Sequence, residues 1–372
     1  MKSDLILYRN DKKIPLGHVA GFFHQGIRHE HDRDSFEKIS EYYGYTVNYS
    51  DNVSDCDMIV FNLHRNHIYS NLNPVLFVEE NVWEIAKAKQ IPIVFWHTGE
   101  CHDVVTESWF TFAEMYVQQK IWYVDSNARL ASDYHLFFDS SNLLNKDVYF
   151  EPTDMSRDIQ TKYKFFCCTR RTDYHKHIIM KHLKTNHANT SWTKYTDADV
   201  TCISPMQEYQ KCFPDFSIEY ITPDSENLSD IDLLNKQLES SVIITLNTYF
   251  VKSLNYNDCY DPLYITEKFS QELSTNKPMI PVGHHGTLGY LRDLGFNFPS
   301  WIDYSYDNEK NENKRMKMIL NEIDRLSKLS NLQQLSEQFQ EISNNHKVFC
   351  SMNFKSEFTN CVNSVLGINR VS

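Results

Sequence analysis

The chain has 372 residues, 41% hydrophobic and 14% aromatic, enough for two domains of ordinary size and too apolar for wholesale disorder. A formal net charge of −12 excludes a broad electropositive surface that grips nucleic acid through its phosphates, while leaving room for a local basic cleft. The apolar runs at 91–96 and 242–246 have the length of buried strands, far below the roughly 20 residues of a membrane span.

At the N-terminus, Met-Lys-Ser-Asp-Leu lacks the apolar core and small-residue cleavage site of an export signal, so a cytoplasmic protein is expected. The nine cysteines form no Cys-x-x-Cys pair and are expected to be reduced thiols. Cys167 and Cys168 sit in an apolar stretch and read as small core residues.

In chain order, residues 34–43 are predicted to be helical and 45–49 to alternate as a strand. A buried strand is predicted at 57–62, a helix at 82–90, a strand at 91–97, a helix from about 106 to 120 and a strand at 121–125. Strands interleaved with helices indicate a mainly parallel sheet covered on both faces. From about 142 to 162 the pattern weakens into polar sequence around Pro152, which marks a domain boundary.

The alternation then restarts, with strands at 163–168, 218–221, 242–246 and 279–282 and helices at 175–184, 266–275 and 287–294. Beyond these, Met316, Ile319, Leu320, Ile323 and Leu326 share one face of an amphipathic helix. The expected architecture is α/β: two Rossmann-like domains at 1–155 and 156–345, followed by a C-terminal helical segment at 346–372. Two open domains of this kind are expected to hold a ligand cleft between them, outside the carboxyl ends of the strands.

Two segments carry chemistry for such a cleft. Residues 261–268 read Asp-Pro-Leu-Tyr-Ile-Thr-Glu-Lys, with Thr266 as an N-cap and Glu267 and Lys268 in the first helical turn. The positive end of the helix dipole favours a bound anion there, Lys268 adds a point charge for phosphates, and Glu267 can accept from ribose hydroxyls. The plainer alternative is a capped helix with an exposed Glu-Lys pair. In the second segment, the strand predicted at 163–168 leads through Thr169 into Arg170 and Arg171. An arginine at a strand's carboxyl end can hold a pyrophosphate bidentately, although two solvated arginines would look the same in sequence.

The first segment, together with the residues that continue it to Gly283, resembles the donor-binding signature of the α1,3-fucosyltransferases and related GT-B enzymes: Asp or Tyr, Thr-Glu-Lys, a helix, a Pro turn and an apolar strand ending in glycine. The similarity extends to Thr-Glu-Lys glycosyltransferase-like proteins of tailed phages and large DNA viruses, through Leu-Arg-Asp-Leu-Gly-Phe at 291–296 and Ile-Asp-Tyr-Ser-Tyr-Asp at 302–307. The latter is a strand in that resemblance. It implies a donor site made of Arg170, Arg171, Tyr264, Thr266, Glu267 and Lys268, a nucleoside diphosphate sugar as donor substrate, and inversion at the anomeric carbon.

A catalytic base is expected from the N-terminal domain, where the strand at 91–97 leads into His97 and Glu100; His24, in a glycine-flanked turn, is the rival. The fucosyltransferases use a glutamate in the acceptor domain, which Glu100 resembles by position.

Other chemistries fit less well. The 16 histidines contain no His-Glu-x-x-His, and Asp-x-Asp occurs at 32–34, 55–57, 197–199 and 230–232, never beside the Thr-Glu-Lys segment. A metal-independent enzyme with no permanently bound cofactor is therefore expected. With 10 glycines there is neither Gly-x-Gly-x-x-Gly nor a phosphate-binding Walker loop, which removes the oxidoreductase and kinase readings.

The sequence thus points to transfer of a sugar to a hydroxyl acceptor. The acceptor could be hydroxymethylated phage DNA, surface polysaccharide, a lipid-linked glycan or protein, in the host cytoplasm if the source is viral. The competing reading is a catalytically inactive GT-B-like module that binds a sugar or a partner.

Overall fold

Short apolar runs separated by amphipathic helices bury both sides of a sheet only when helices cover each face, which favours parallel strands. The computed structural model has two such sheets. It describes residues 3–9, 40, 45–50, 52–63, 80–97, 114–115, 121–125, 135–137, 160–169, 173–195, 210–216, 224, 229–247, 250, 275, 277–338, 343–351 and 354–367.

The chain forms two units, the first comprising Met1–Leu144 with Asn353–Ser372 and the second Asn145–Met352. In the first unit, β1 (Ser3–Arg9), β2 (Tyr45–Tyr49), β3 (Met58–Leu63), β4 (Ile93–His97), β5 (Trp122–Asp125) and β6 (His135–Phe137) pair in the order β2-β1-β3-β4-β5-β6. Every pairing is parallel. Helix α1 (Glu80–Lys89) buries Val82, Trp83 and Ala86, and its Lys87 and Lys89 complement the negative end of the dipole.

The C-terminal helix of the chain, Phe354–Val365, buries Phe358, Cys361, Val362 and Val365. Phe358 meets the ring of Tyr45 edge-on at 5.6 Å, and the Tyr45 hydroxyl donates to Thr359 Oγ1 at 3.3 Å. This ties the C-terminal helix to strand β2 of the first unit.

In the second unit, β7 (Tyr163–Thr169), β8 (Ser191–Tyr195), β9 (Ser240–Leu246) and β10 (Met279–Val282) form a parallel sheet in the order β10-β9-β7-β8. Its described helices are α2 (Tyr174–Asn186), α3 (Asp230–Leu238), α4 (Thr287–Asp293), α5 (Glu312–Ser327), α6 (Leu332–Gln338) and α7 (Ser343–Ser351); the C-terminal helix of the first unit, which packs on Tyr45, is α8 (Phe354–Val365). Every residue of β9 is buried, as a central parallel strand requires.

Strand alternation sorts the core. Phe165, Cys167, Val242, Ile244, Leu246, Ile280 and Val282 join the cluster formed with Ile179 and Leu183 of α2 and the apolar stripe of α5. Phe166, of opposite parity, stacks on Trp192 at 5.2 Å. In α5, Met316, Ile319, Ile323 and Leu326 are buried, and Leu320 packs half-buried against the same core. At about 1.5–3 kcal/mol for each buried aliphatic side chain, this packing outweighs the modest intrinsic propensity of the individual elements.

Glu239 fastens the start of β7 beside the start of β9. Its carbonyl accepts from the amides of Lys162 and Tyr163 at 2.8 and 3.1 Å, and its carboxylate takes the ammonium groups of Lys162 at 2.6 Å and Lys236 at 2.8 Å. Hydrogen bonds from Lys162 and then Lys236 hold the Glu239 carboxyl below its usual range. A depressed carboxylate stabilises the fold above the unfolded value of about 4.3 and loses that contribution as pH falls through the lower folded value. Glu239→Gln is therefore expected to flatten the acid limb of a stability–pH curve measured by urea unfolding.

The sequence reading missed β1, β6 and β8. Tertiary structure also corrects the expected strand at 302–307, where Ser305–Asn308 form a 3-10 turn. The physical reason is the buried Asp307, whose side chain faces the amides that start α4 and so cannot alternate along a ladder. The predicted strand at 218–221 and most of the predicted helices at 34–43, 106–120 and 266–275 lie outside the described residues. Among the described residues, no helix is long and apolar enough to cross a membrane.

Candidate functional site

The strand order creates a switch point in the second unit. From β7 the chain crosses through α2 to β8 on one side, whereas from β9 it crosses to β10 on the other. β7 and β9 are neighbours, with Phe165 opposite Val242, so the strand order reverses between them, and the carboxyl ends at such a reversal are where open sheets of this kind bind ligands.

Both sequence-predicted donor segments belong to the connections that follow these two strands. Arg170 and Arg171 directly follow Thr169, the last residue of β7, and Tyr264, Thr266, Glu267 and Lys268 belong to the connection from β9 to β10. All six residues lie outside the described residues, as do Glu100 and His24. His97 is the final residue of β4 in the first unit, and its side chain is likewise outside the description. The described residues fix no distance among these nine.

What is described is the carboxyl edge of the sheet itself. Beyond β9, the buried Asn247 donates its amide to Val282 O at 3.0 Å, extending the pairing with β10. Its carbonyl sits 2.8 Å from His175 Nε2, which makes that nitrogen the N–H donor of the ring. Gly283 follows β10 where a Cβ would come within 3.3 Å of Asn247 Cβ and Nδ2 and 3.4 Å of Thr287 Oγ1. Only glycine lets the two strand ends approach without displacing Asn247.

Three residues beyond Asn247, the chain is anchored again. The ring of Phe250 stacks on His175 at 5.3 Å and carries the guanidinium of Arg315 at 4.2 Å. Arg315, 1% exposed on α5, donates to the carbonyls of Phe250 and Glu309, the latter at 2.8 Å. Tyr174, the first residue of α2, stacks on Phe213 at 5.2 Å and donates from its hydroxyl to Phe216 O at 2.9 Å. The connection that holds the Thr-Glu-Lys segment thus starts from fixed backbone. So does the helix that follows the arginine pair.

Two helix N-termini lie on this edge. At α2, the N-cap position is Asp173, which makes no side-chain cap hydrogen bond; its carboxylate pairs instead with the fully buried ammonium of Lys176. At α4, Asp307 Oδ2 accepts from the amides of Leu288 at 3.1 Å and Gly289 at 3.3 Å, while Asp307 O accepts from Gly286 at 2.8 Å. The start of α4 is therefore filled by the protein's own carboxylate and is not offered to a ligand.

Burial pushes the Asp307 carboxyl up, against the two amide hydrogen bonds that hold it down. Asp307→Ala is expected to cost about 1–2 kcal/mol, the usual loss of a helix cap. Asp307→Asn keeps an acceptor oxygen without a buried charge, and should recover most of that loss in urea unfolding at neutral pH.

A surface depression of 640 Å³ is lined by Arg292, Phe298, Trp301, Tyr304 and Arg325, among others. Tyr304 hydroxyl bonds the carbonyl of Met279, the first residue of β10. The depression therefore belongs to the amino edge of the sheet, away from the switch point, and Arg325 there is already committed to Glu322 and Trp301 O at 2.6 Å each.

Sequence reasoning missed Asn247, Phe250, Asp307 and Arg315. The one usable signal was Arg315, a cation on the apolar side of α5 next to Met316. The others make contacts whose partners are far away in sequence.

No family model matches the chain, and no curated protein matches it in sequence. Among solved structures, a crystal structure of an alpha1,3-fucosyltransferase is similar with a TM-score of 0.40 and 10% identity, over 94% of this chain and 90% of that one. A second, of alpha1,3-fucosyltransferase with GDP-fucose, has a TM-score of 0.42 and 9% identity over 95% and 92% of the two chains. Likeness at that level carries no argument about chemistry, which rests on the switch point and its connections.

Proposed function

We propose that the chain is a metal-independent glycosyltransferase of GT-B type that moves a sugar from a nucleoside diphosphate to a hydroxyl acceptor. One observation supports this reading: β7, which the arginine pair directly follows, is the neighbour of β9, whose connection to β10 contains the Thr-Glu-Lys segment. A guanidinium and an ammonium arriving from adjacent strand ends suit the two phosphates of one ligand, and a carboxylate beside the ammonium suits its ribose.

The division of labour follows from charge. Arg170, with Arg171 as second choice, and Lys268 hold the diphosphate, on which negative charge develops as the sugar departs. Tyr264 and Thr266 flank that anion site and Glu267 accepts from the ribose. Glu100, or one of His97 and His24, takes the acceptor proton. The platform of Asn247, Phe250 and Arg315 contributes rigidity, which keeps such groups from reorganising at each turnover.

The reading is tested by titrating the protein with GDP-, UDP- and dTDP-sugars, GDP-fucose among them, in a thermal-shift assay. A donor present at 100 times its Kd is expected to stabilise by about 2.7 kcal/mol, which raises Tm visibly. Release of the nucleoside diphosphate on adding a hydroxyl acceptor then demonstrates transfer. If no nucleotide sugar and no nucleoside diphosphate shifts Tm, the reading is wrong.

A further inference from the structure

At the end of α2 remote from the switch point, two histidines converge on one carboxylate. His182 Nε2 lies 2.8 Å from Asp324 Oδ1, and His187 Nε2 lies 2.7 Å from the same oxygen. The three ligand atoms all lie within 4.8 Å of one another. His182 is in the last turns of α2, His187 is its C-cap, and Asp324 projects from α5.

We propose that His182, His187 and Asp324 form a binding site for a borderline divalent metal ion, with zinc as the ion that fits. Two imidazole nitrogens and a carboxylate oxygen are a donor set that zinc takes readily, and three protein ligands leave a fourth tetrahedral position for water. With zinc bonds of about 2.0–2.2 Å, tetrahedral ligand atoms lie roughly 3.3–3.5 Å apart. The two nitrogen–oxygen spacings need to open by only a fraction of an ångström to reach that range. The imidazoles are already fixed: their side chains are 14% and 10% exposed, and His187 packs against the ring of Phe165 at 6.0 Å.

A second partner suits the same role. Asn186 Nδ2 lies 3.1 Å from His182 Nδ1. Turning that amide over presents Oδ1, which accepts a hydrogen bond from Nδ1–H and leaves the Nε2 lone pair for a metal. Metal-bound histidines commonly hold their other nitrogen this way. The site does not belong to the sugar-transfer chemistry. From its first residue at the switch-point edge, α2 rises about 12 Å to His182 and about 20 Å to His187. Bound there, the ion would clamp the C-terminal end of α2 to α5 and so brace the helix that begins after Arg170 and Arg171.

The test uses the full chain, stripped with EDTA, dialysed, and titrated with zinc chloride by calorimetry. Wild type is expected to bind one zinc per chain with a rise in Tm, and Asp324→Asn and His187→Gln to weaken that equivalent by about tenfold or more. Asp324→Asn keeps an acceptor for both histidines, so the stripped variant should melt near the stripped wild type. His182→Gln serves in its place if it does not fold. The proposal is overturned if no zinc binds, or if the variants bind zinc as tightly as wild type, which would leave the three residues as a hydrogen-bonded clasp only.

Discussion

Lys268→Ala and Arg170→Ala are each expected to lower turnover of the nucleotide sugar by about 10²–10³-fold, with kcat falling more than KM rises. The reason is the timing of the charge. In the ground state the diphosphate is an ester of the sugar; in the transition state it takes on the electron pair of the breaking bond. A cation at the leaving group is worth most at that moment, and stabilisation confined to the transition state raises kcat.

Glu267→Gln should behave differently, because a ribose hydroxyl carries no new charge during transfer. Its loss is expected mainly in the KM for the donor. Initial-rate kinetics on the three variants, with circular dichroism to confirm folding, separates these outcomes. If Lys268→Ala and Arg170→Ala turn over the donor at the wild-type rate, the two connections at the switch point do not form the donor site.

The second large effect is structural. Arg315→Ala is expected to destabilise the second unit by about 3–5 kcal/mol, the range for breaking a buried charged network and leaving a void. The substitution removes the donors to Phe250 O and Glu309 O and the cation that covers the Phe250 ring. The buried Phe250 carbonyl then needs another partner in a region with little access to water. For a unit of this size the change corresponds to a fall in Tm of roughly 10 °C.

Arg315→Lys keeps the charge but loses the planar fork that reaches two carbonyls at once, and should fall between wild type and alanine. Because Phe250 opens the connection carrying the Thr-Glu-Lys segment, donor KM should rise in the lysine variant even where the fold survives. Thermal melts and donor titrations on the pair check this. An unchanged Tm for Arg315→Ala would show that the buried guanidinium does not hold this edge of the sheet.

The legible parts of this protein are those in which one segment suffices. β9 reads as a strand because Val-Ile-Ile-Thr-Leu is apolar on both faces, and α5 reads as a helix because Met316, Ile319, Ile323 and Leu326 recur at helical spacing. The end of α4 was also written locally. Gly295, at φ +95°, donates to Arg292 O, and Phe296 donates to Leu291 O, closing the helix as its Leu-Gly-Phe sequence implies. β8 escaped the reading because Ser-Trp-Thr-Lys-Tyr mixes polar and apolar residues, and its apolar partner Phe166 lies far away in the chain.

By itself, the sequence determined the periodicity of its strands and helices, and with it the parallel α/β character. It also placed the chemically distinctive residues, Arg170 and Arg171 after one strand and Glu267 and Lys268 before another. Tertiary structure alone decided that β7 and β9 are neighbours, the pairing on which the proposal of one donor site rests. It alone gave Asp307 to the start of α4, Arg315 to Phe250, and Asp324 to His182 and His187. The physical reason is common to all four. Periodicity is set by the geometry of a few consecutive residues, whereas a buried polar group is satisfied by whichever partner the packed chain brings to it.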